Sequence, residues 1–254
     1  MSFAPILQAL ALPPETLVEQ RVPKKLLLEN GAPTAGDKRQ ISEGIEECLW
    51  HAALKPATVG VPAFRDATRE YLEIAVVTVQ LRPAAKPGRL VELIHRAIPY
   101  PVLLITRLGL YLGVSVAHKR WSELETGKVV LEELRATASF QPEAPTQSEA
   151  GFLARLRLTG LPRGDLFGLY QGWLEAVLAL EAAQITGSFA PPASADQALV
   201  MREALASHAA SLRELARLRA QAERETQINR RVDLNLAIKK LEDRIRHNEA
   251  ALTF

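Results

Sequence analysis

One cysteine, Cys48 in "IEECLWHAAL", stands in a chain of 254 residues. A lone thiol cannot close a disulfide within its own chain, and it fits a reducing compartment. Among apolar neighbours it reads as a small buried hydrophobe, not a nucleophile. Long apolar runs are missing too. No stretch reaches the roughly 18 apolar residues of a membrane span, and "LEAVLALEAAQITG" is broken by Glu175 and Glu181. The first residues, "MSFAPILQALALPPETLVEQ", lack the basic start of a signal peptide, and Pro13 and Pro14 cut their apolar run short. These absences predict a cytoplasmic protein. A dominant charge is also lacking: 31 basic residues face 29 acidic ones, so bulk charge favours neither nucleic acid nor a membrane surface.

Chemical motifs are equally sparse. "GLYLG" and "GLPRGDLFG" are too loose for a Walker A or dinucleotide loop. His51, His95, His118, His208 and His247 have no metal-ligand spacing with Cys48 or each other. Each reads as a helix-surface or seam residue. "GVSVA" around Ser115 is not the Gly-x-Ser-x-Gly elbow. No metal and no cofactor is expected.

What is present is an ordinary globular composition, 48% hydrophobic and 24% charged, enough for one sizeable core plus an appendage, or for two domains. "DKRQISEGIEECLWHAALKPATV" reads as one helix, with Ile41, Ile45, Cys48 and Leu49 as its stripe and Pro56 as its end. "EYLEIAVVTVQLRP" is β-branched and stops at Pro83, so it predicts a strand. A short helix, "PGRLVELIHRAI", precedes the apolar strand "PYPVLLITRLG". After Gly109 another strand, "LYLGVSVAHKR", follows at hairpin distance, and a last one lies in "GKVVLEELRATASF". The fold class is α+β: a small mixed sheet with flanking helices, then a helical C-terminal module ending in a coiled-coil hairpin or a long helix. The domains are 1–140, the α/β part; 141–195, a linker beginning "QPEAPTQSEAG" and an amphipathic helix capped by Asp165 and closed by Gly187; and 196–254, a helical tail. Trp50, Trp121 and Trp173 read as core or interface anchors.

The tail holds two seams. Leu205, His208, Leu212 and Leu215 step by 3-4-3, and so do Leu234, Ile238, Leu241 and Ile245, continued by Asn248 and Leu252. The second is two residues out of phase with the first. A hairpin turning around "TQIN" is preferred; one long helix pairing with another copy of the chain is the rival. Gln227 and Asn229 would cap the turn or set register.

Five phrases spread in order over nearly the whole chain resemble a bacterial family known as domain of unknown function 4391: "RVPKKLLLENG", "ECLWHAALKPATVGVPAF", "LVELIHRAIPYPVLLIT", "LYQGWLEAVLALEAAQITG" and "ETQINRRVDLNLAIKKLE". The resemblance implies an accessory protein encoded beside SNF2-type or DEAD-box helicases and DNA methyltransferases in restriction-like phage-defence clusters. It implies no catalytic residues.

In that setting three functions compete. The first is a non-enzymatic adaptor whose tail docks a helicase or DNA methyltransferase. Leu234, Ile238, Leu241 and Ile245 would give the apolar area, and neighbouring Arg and Lys would choose the partner. The second is a DNA-binding accessory protein using Arg21, Lys24 and Lys25 of "RVPKK", Lys119 and Arg120 beside Trp121, and Arg230 and Arg231 of the tail's basic stripe. The third, and least favoured, is a divergent metal-dependent nuclease. That chemistry needs an Asp and then Glu-x-Lys on a strand. Asp66 and Glu73 are present, but Ala75 stands where the lysine belongs, and Gln80 and Arg82 are a degraded version. The adaptor is expected, with no catalytic residues.

Overall fold

A computed structural model describes residues 2–123 and 129–253. The chain forms two compact units, Met1–Val177 and Leu178–Phe254. The expected mixed α/β architecture with helices at its C-terminal end is present.

In the first unit the helices are α1 (Ala4–Leu10), α2 (Lys24–Gly31), α3 (Ala35–Gly44), α4 (Pro56–Val59), α5 (Pro87–Ala97) and α6 (Gln147–Arg155). The strands are β1 (Leu17–Arg21), β2 (Ile45–Leu54), β3 (Phe64–Arg65), β4 (Glu70–Tyr71), β5 (Ile74–Leu81), β6 (Val102–Leu108), β7 (Tyr111–Trp121) and β8 (Val129–Ala136). Among the described residues the main sheet runs β1-β2-β5-β6-β7-β8, and β3 pairs with β4 as a separate ribbon. All neighbours in the main sheet are antiparallel except β5 and β6. A parallel pair needs a crossover, and α5 provides it. Pro87 opens α5, where its missing N–H costs nothing, and Leu90, Leu93, Ile94 and Ala97 are buried on the sheet. Leu27 of α2 and Ile41 of α3 join them over Cys48, Val77, Val79 and Leu104. Gly31 ends α2 against α5, where a Cβ would lie 2.5 Å from the carbonyl oxygen of Leu93.

The single helix expected through "DKRQISEGIEECLWHAALKPATV" is corrected: α3 ends at Gly44 and Ile45–Leu54 is strand. The cause lies in two register shifts of β2 against β5, between Ile45 and Glu47 and between Trp50 and Ala52. Each bulge adds a residue to the two-residue repeat. The buried positions Ile45, Cys48 and Ala52 therefore step by three and four, as they would on a helix. The other expected strands lie where the β-branched runs are; Gly127 and Lys128 of the last lie outside the described residues.

The expected linker is half helix. In "TQSE" the Thr146 hydroxyl accepts from the Glu149 amide at 3.3 Å, and the Glu149 carboxylate accepts from the Thr146 amide at 2.7 Å. This reciprocal cap starts α6. Next comes α7 (Leu166–Thr186). It is capped as expected, with Asp165 Oδ1 accepting from the Gly168 amide at 2.7 Å and Gly187 at φ +78°. Tyr170, Trp173, Val177 and Leu180 are buried, but so are Leu169, Leu174 and Ala176, so α7 is apolar nearly all round.

In the second unit α8 (Ala195–Arg224) and α9 (Ile228–Ala251) pack together as a hairpin. The tail thus pairs within the chain. The break covers 225–227, where the Glu225 carboxylate accepts from the Gln227 amide at 2.9 Å. Leu215 and Leu218 meet Leu241 and Ile245, flanked by Leu234 and Ile238; Met201, Ala204 and Leu205 form a second cluster with Leu252, Leu178 and Ala182. The first seam needs one correction. Leu212 is 46% exposed, and Ser211 takes the inner position, where its hydroxyl accepts from Arg244 Nε at 3.0 Å. A small residue there admits the arginine. Gln227 and Asn229 are exposed; the polar pair inside the seam is Asn248 donating to the Ser207 hydroxyl at 3.0 Å. No helix among the described residues is long and apolar enough to cross a membrane.

Candidate functional site

A groove of the first unit has a volume of about 720 Å³. Its walls come from the start of α4 (Lys55, Pro56, Ala57), the turn around β4 (Arg69, Glu70, Leu72, Glu73), the loop between α5 and β6 (Pro99, Tyr100) and the end of β7 (Lys119, Arg120, Trp121), with Val129 of β8. Apolar walls with a few charged groups around them suit a ligand site.

Lys119 fixes its floor. The strand alternation turns this side chain inward, and its ammonium donates to the carbonyls of Ile98 at 2.5 Å and Tyr100 at 2.6 Å. Burial pushes its pKa down to about 7. Those two bonds pin the Pro99-Tyr100-Pro101 loop to β7, so the Tyr100 ring is offered from a fixed backbone. Arg120 is half-buried at the rim and pairs with Glu123 at 2.9 Å; Trp121 keeps 36% of its surface open. Lys55 meets Glu73 at 3.4 Å, and Arg69 meets Glu132 at 2.8 Å while lying 5.5 Å from the Phe167 ring centre.

Behind the groove runs a buried polar chain. Gln171 spends its amide N–H on the Glu175 carboxylate at 2.9 Å, so its oxygen accepts from His118 Nε2 at 2.7 Å. His118 Nδ1 then accepts from the Tyr71 hydroxyl at 2.5 Å. Burial lowers the His118 pKa, matching a neutral ring with one donor and one acceptor nitrogen. His95 is buried completely, with Nε2 3.0 Å from the Ser115 hydroxyl. Both histidines are interior, which corrects the surface reading. For His118 period alone could not show it, because β7 is buried on both faces from Leu112 to Lys119.

A second cavity of about 180 Å³ adjoins the first and shares Pro99 and Tyr100 with it. Its other walls include Arg21, Pro23, Leu26 and Trp50. The Trp50 ring lies 6.0 Å from Tyr100, centre to centre. At this end the cations gather. Lys24 Nζ donates to the Ser42 carbonyl at 3.2 Å, and Arg82 to the carbonyls of Ser42 and Glu43 at 3.4 Å. Burial and the charges of Arg82 and Arg21 lower the Lys24 pKa, against one nearby carboxylate, Glu46.

The fold therefore brings Arg21 and Lys24 to one end of a surface that has Lys119 and Arg120 at the other. Lys25 is exposed and pairs with Glu29 at 3.8 Å. Arg230 lines a separate cavity of the hairpin with Arg224 and Asp233, and Arg231 is exposed beside it. Leu234, Ile238, Leu241 and Ile245 face α8, so their direct work is closing the hairpin. The opposite side of α9 carries Ile228, Val232 and Leu236, exposed by 71, 51 and 56%. Asp66 is occupied by its own turn, its Oδ1 accepting from the amides of Thr68 at 2.6 Å and Arg69 at 2.7 Å, and Glu73 by Lys55. Among the described residues no three His, Cys, Asp or Glu side chains gather as metal ligands would. Cys48 is buried and its thiol is pushed up to about 12.

Sequence reasoning missed Lys55, Arg69 and Tyr100. Long-range packing gathers them. The one local signal was "PYP", an aromatic held between two prolines.

The model of a family described as a domain of unknown function, DUF4391, matches residues 10–245. No curated protein and no solved structure matches.

Proposed function

We propose, for a chain that belongs to the DUF4391 family, a non-enzymatic accessory subunit that docks a larger protein through the outer face of its C-terminal hairpin. The observation that carries this reading is the stripe Ile228, Val232 and Leu236. Steps of four residues put the three on one side of α9, while Leu234, Ile238, Leu241 and Ile245 use the other side within the chain. Large apolar side chains left in water in a row favour burial against a partner. Arg231, Lys239 and Lys240 flank the stripe, and such rim charges select a partner of acidic surface.

The partner of this proposal is an SNF2-type or DEAD-box helicase or a DNA methyltransferase of a restriction-like, phage-defence assembly, the setting that the family resemblance implies. The test is a tagged pull-down from the native host with nuclease in the lysate, read by mass spectrometry. A helicase or methyltransferase retained despite the nuclease supports the reading. Recovery of the bait alone overturns it.

A further inference from the structure

We propose that the two joined cavities of the first unit form a track for single-stranded nucleic acid. Bases stack on Tyr100 and Trp121, and phosphates meet Arg21, Lys24 and Arg120. This does not depend on the docking proposed for the hairpin.

The charge is local. The described lining of the two cavities holds Lys55, Arg69, Lys119, Arg120 and Arg21 against Glu70 and Glu73; Arg120 and Arg69 also pair with Glu123 and Glu132 beside it, and Lys119 is held by two backbone carbonyls, so the charge offered to a ligand is strongest at the Arg21 end. Lys24 and Arg82 extend it beyond Arg21: burial first, and then the charges of Arg82 and Arg21, lower the Lys24 pKa. That mutual repulsion is relieved when an anion arrives.

Rings lie among the cations: Arg21 and Trp50 line the smaller cavity, Tyr100 lines both, 6.0 Å from Trp50, and Arg120 and Trp121 line the larger one. Basic groups that follow a backbone, with aromatic faces between them, are what an unpaired strand requires. Tyr100 is preorganised: two prolines flank it, and the Lys119 ammonium holds its carbonyl at 2.6 Å. Little freedom is lost when a base stacks there. Glu123 is exposed where it pairs with the half-buried Arg120, and a pair open to water on one side holds its arginine weakly, so a phosphate can displace it.

The occupant is a single strand because a duplex hides its base faces and leaves the rings and the apolar walls unused. An acidic peptide would answer the cations, but it too would leave the rings bare and bring carboxylates against Glu70 and Glu73.

The experiment titrates the full chain into a fluorescein-labelled oligothymidylate of about 12 nucleotides, read by anisotropy at about 50 and about 200 mM salt. Saturable binding that weakens steeply with salt is expected. Trp121→Ala and Tyr100→Ala should each weaken it about tenfold at both salts. Arg21→Gln should weaken it and flatten the salt slope by about one. Circular dichroism of each variant keeps loss of fold from passing as loss of binding, and quenching of the chain's own tryptophan fluorescence by unlabelled oligothymidylate gives a reading without mutation. No saturable binding at the lower salt overturns the proposal. So does a duplex of equal length, or poly-glutamate of equal charge, competing as well as the single strand.

Discussion

Asp37 shows how much one side chain can carry when its partners are fixed. It lies on the first turn of α3, almost buried, and takes Arg89 of α5 edge-on, at 2.8 Å from Nε and 3.0 Å from Nη2. The Thr34 hydroxyl adds a bond at 2.8 Å. The hydrogen bonds from Arg89 and then Thr34 hold its carboxyl down to about 2, whereas an unfolded aspartate titrates at about 3.9. Between those values the unfolded chain binds a proton that the folded chain does not. The contribution is therefore fully present above about pH 4 and is lost as pH falls toward about 2. Urea midpoints measured from about pH 5 to about pH 2 should fall in the wild type. Asp37→Asn should start lower and fall less steeply. Parallel curves for the two proteins would remove Asp37 from the account. Lys119 has the opposite origin: burial, not a partner, lowers it to about 7, and its use is mechanical, tying Tyr100 to β7.

At the scale of elements, the hairpin gives the sharpest comparison of adjacent leucines. Leu212 was expected in the α8 seam and is half exposed, whereas Leu215 is 7% exposed against Leu241 and Ile245. Leu215→Ala should cost about 2–5 kcal/mol, and Leu212→Ala should stay within about 0.5 kcal/mol of the wild type. Thermal melts followed by helix ellipticity decide it; equal losses would restore the expected seam. The elements legible in the sequence were those with one clear period or a marked end. The runs around β5, α5, β6 and β7, the Asp165 cap and Gly187 of α7, and the second seam of the tail are of this kind. The unread ones had mixed signals. The bulges of β2 imitate helical spacing, and the cap in "TQSE" was hidden in a stretch whose proline, serine and threonine content reads as linker. Ser211 could be placed only once Arg244 was known to lie across from it. The candidate site was half legible: "RVPKK" and "HKRW" were visible as cationic runs. What brings them to adjoining cavities is the loop of Pro99 and the proline-flanked Tyr100, which lines both.

For the whole molecule, the proposed docking face lies on the hairpin and the proposed strand track on the first unit, with separate residues for each. Leu236 is outside the hairpin seam and Trp121 is outside the sheet's core, so each can be changed without emptying a core. A nuclease-treated pull-down from the native host with three baits, wild type, Leu236→Asp and Trp121→Ala, separates the two surfaces. The helicase or methyltransferase held by the wild type should be lost with Leu236→Asp and kept with Trp121→Ala. Retention by Leu236→Asp, with the variant folded, would contradict the proposed docking face.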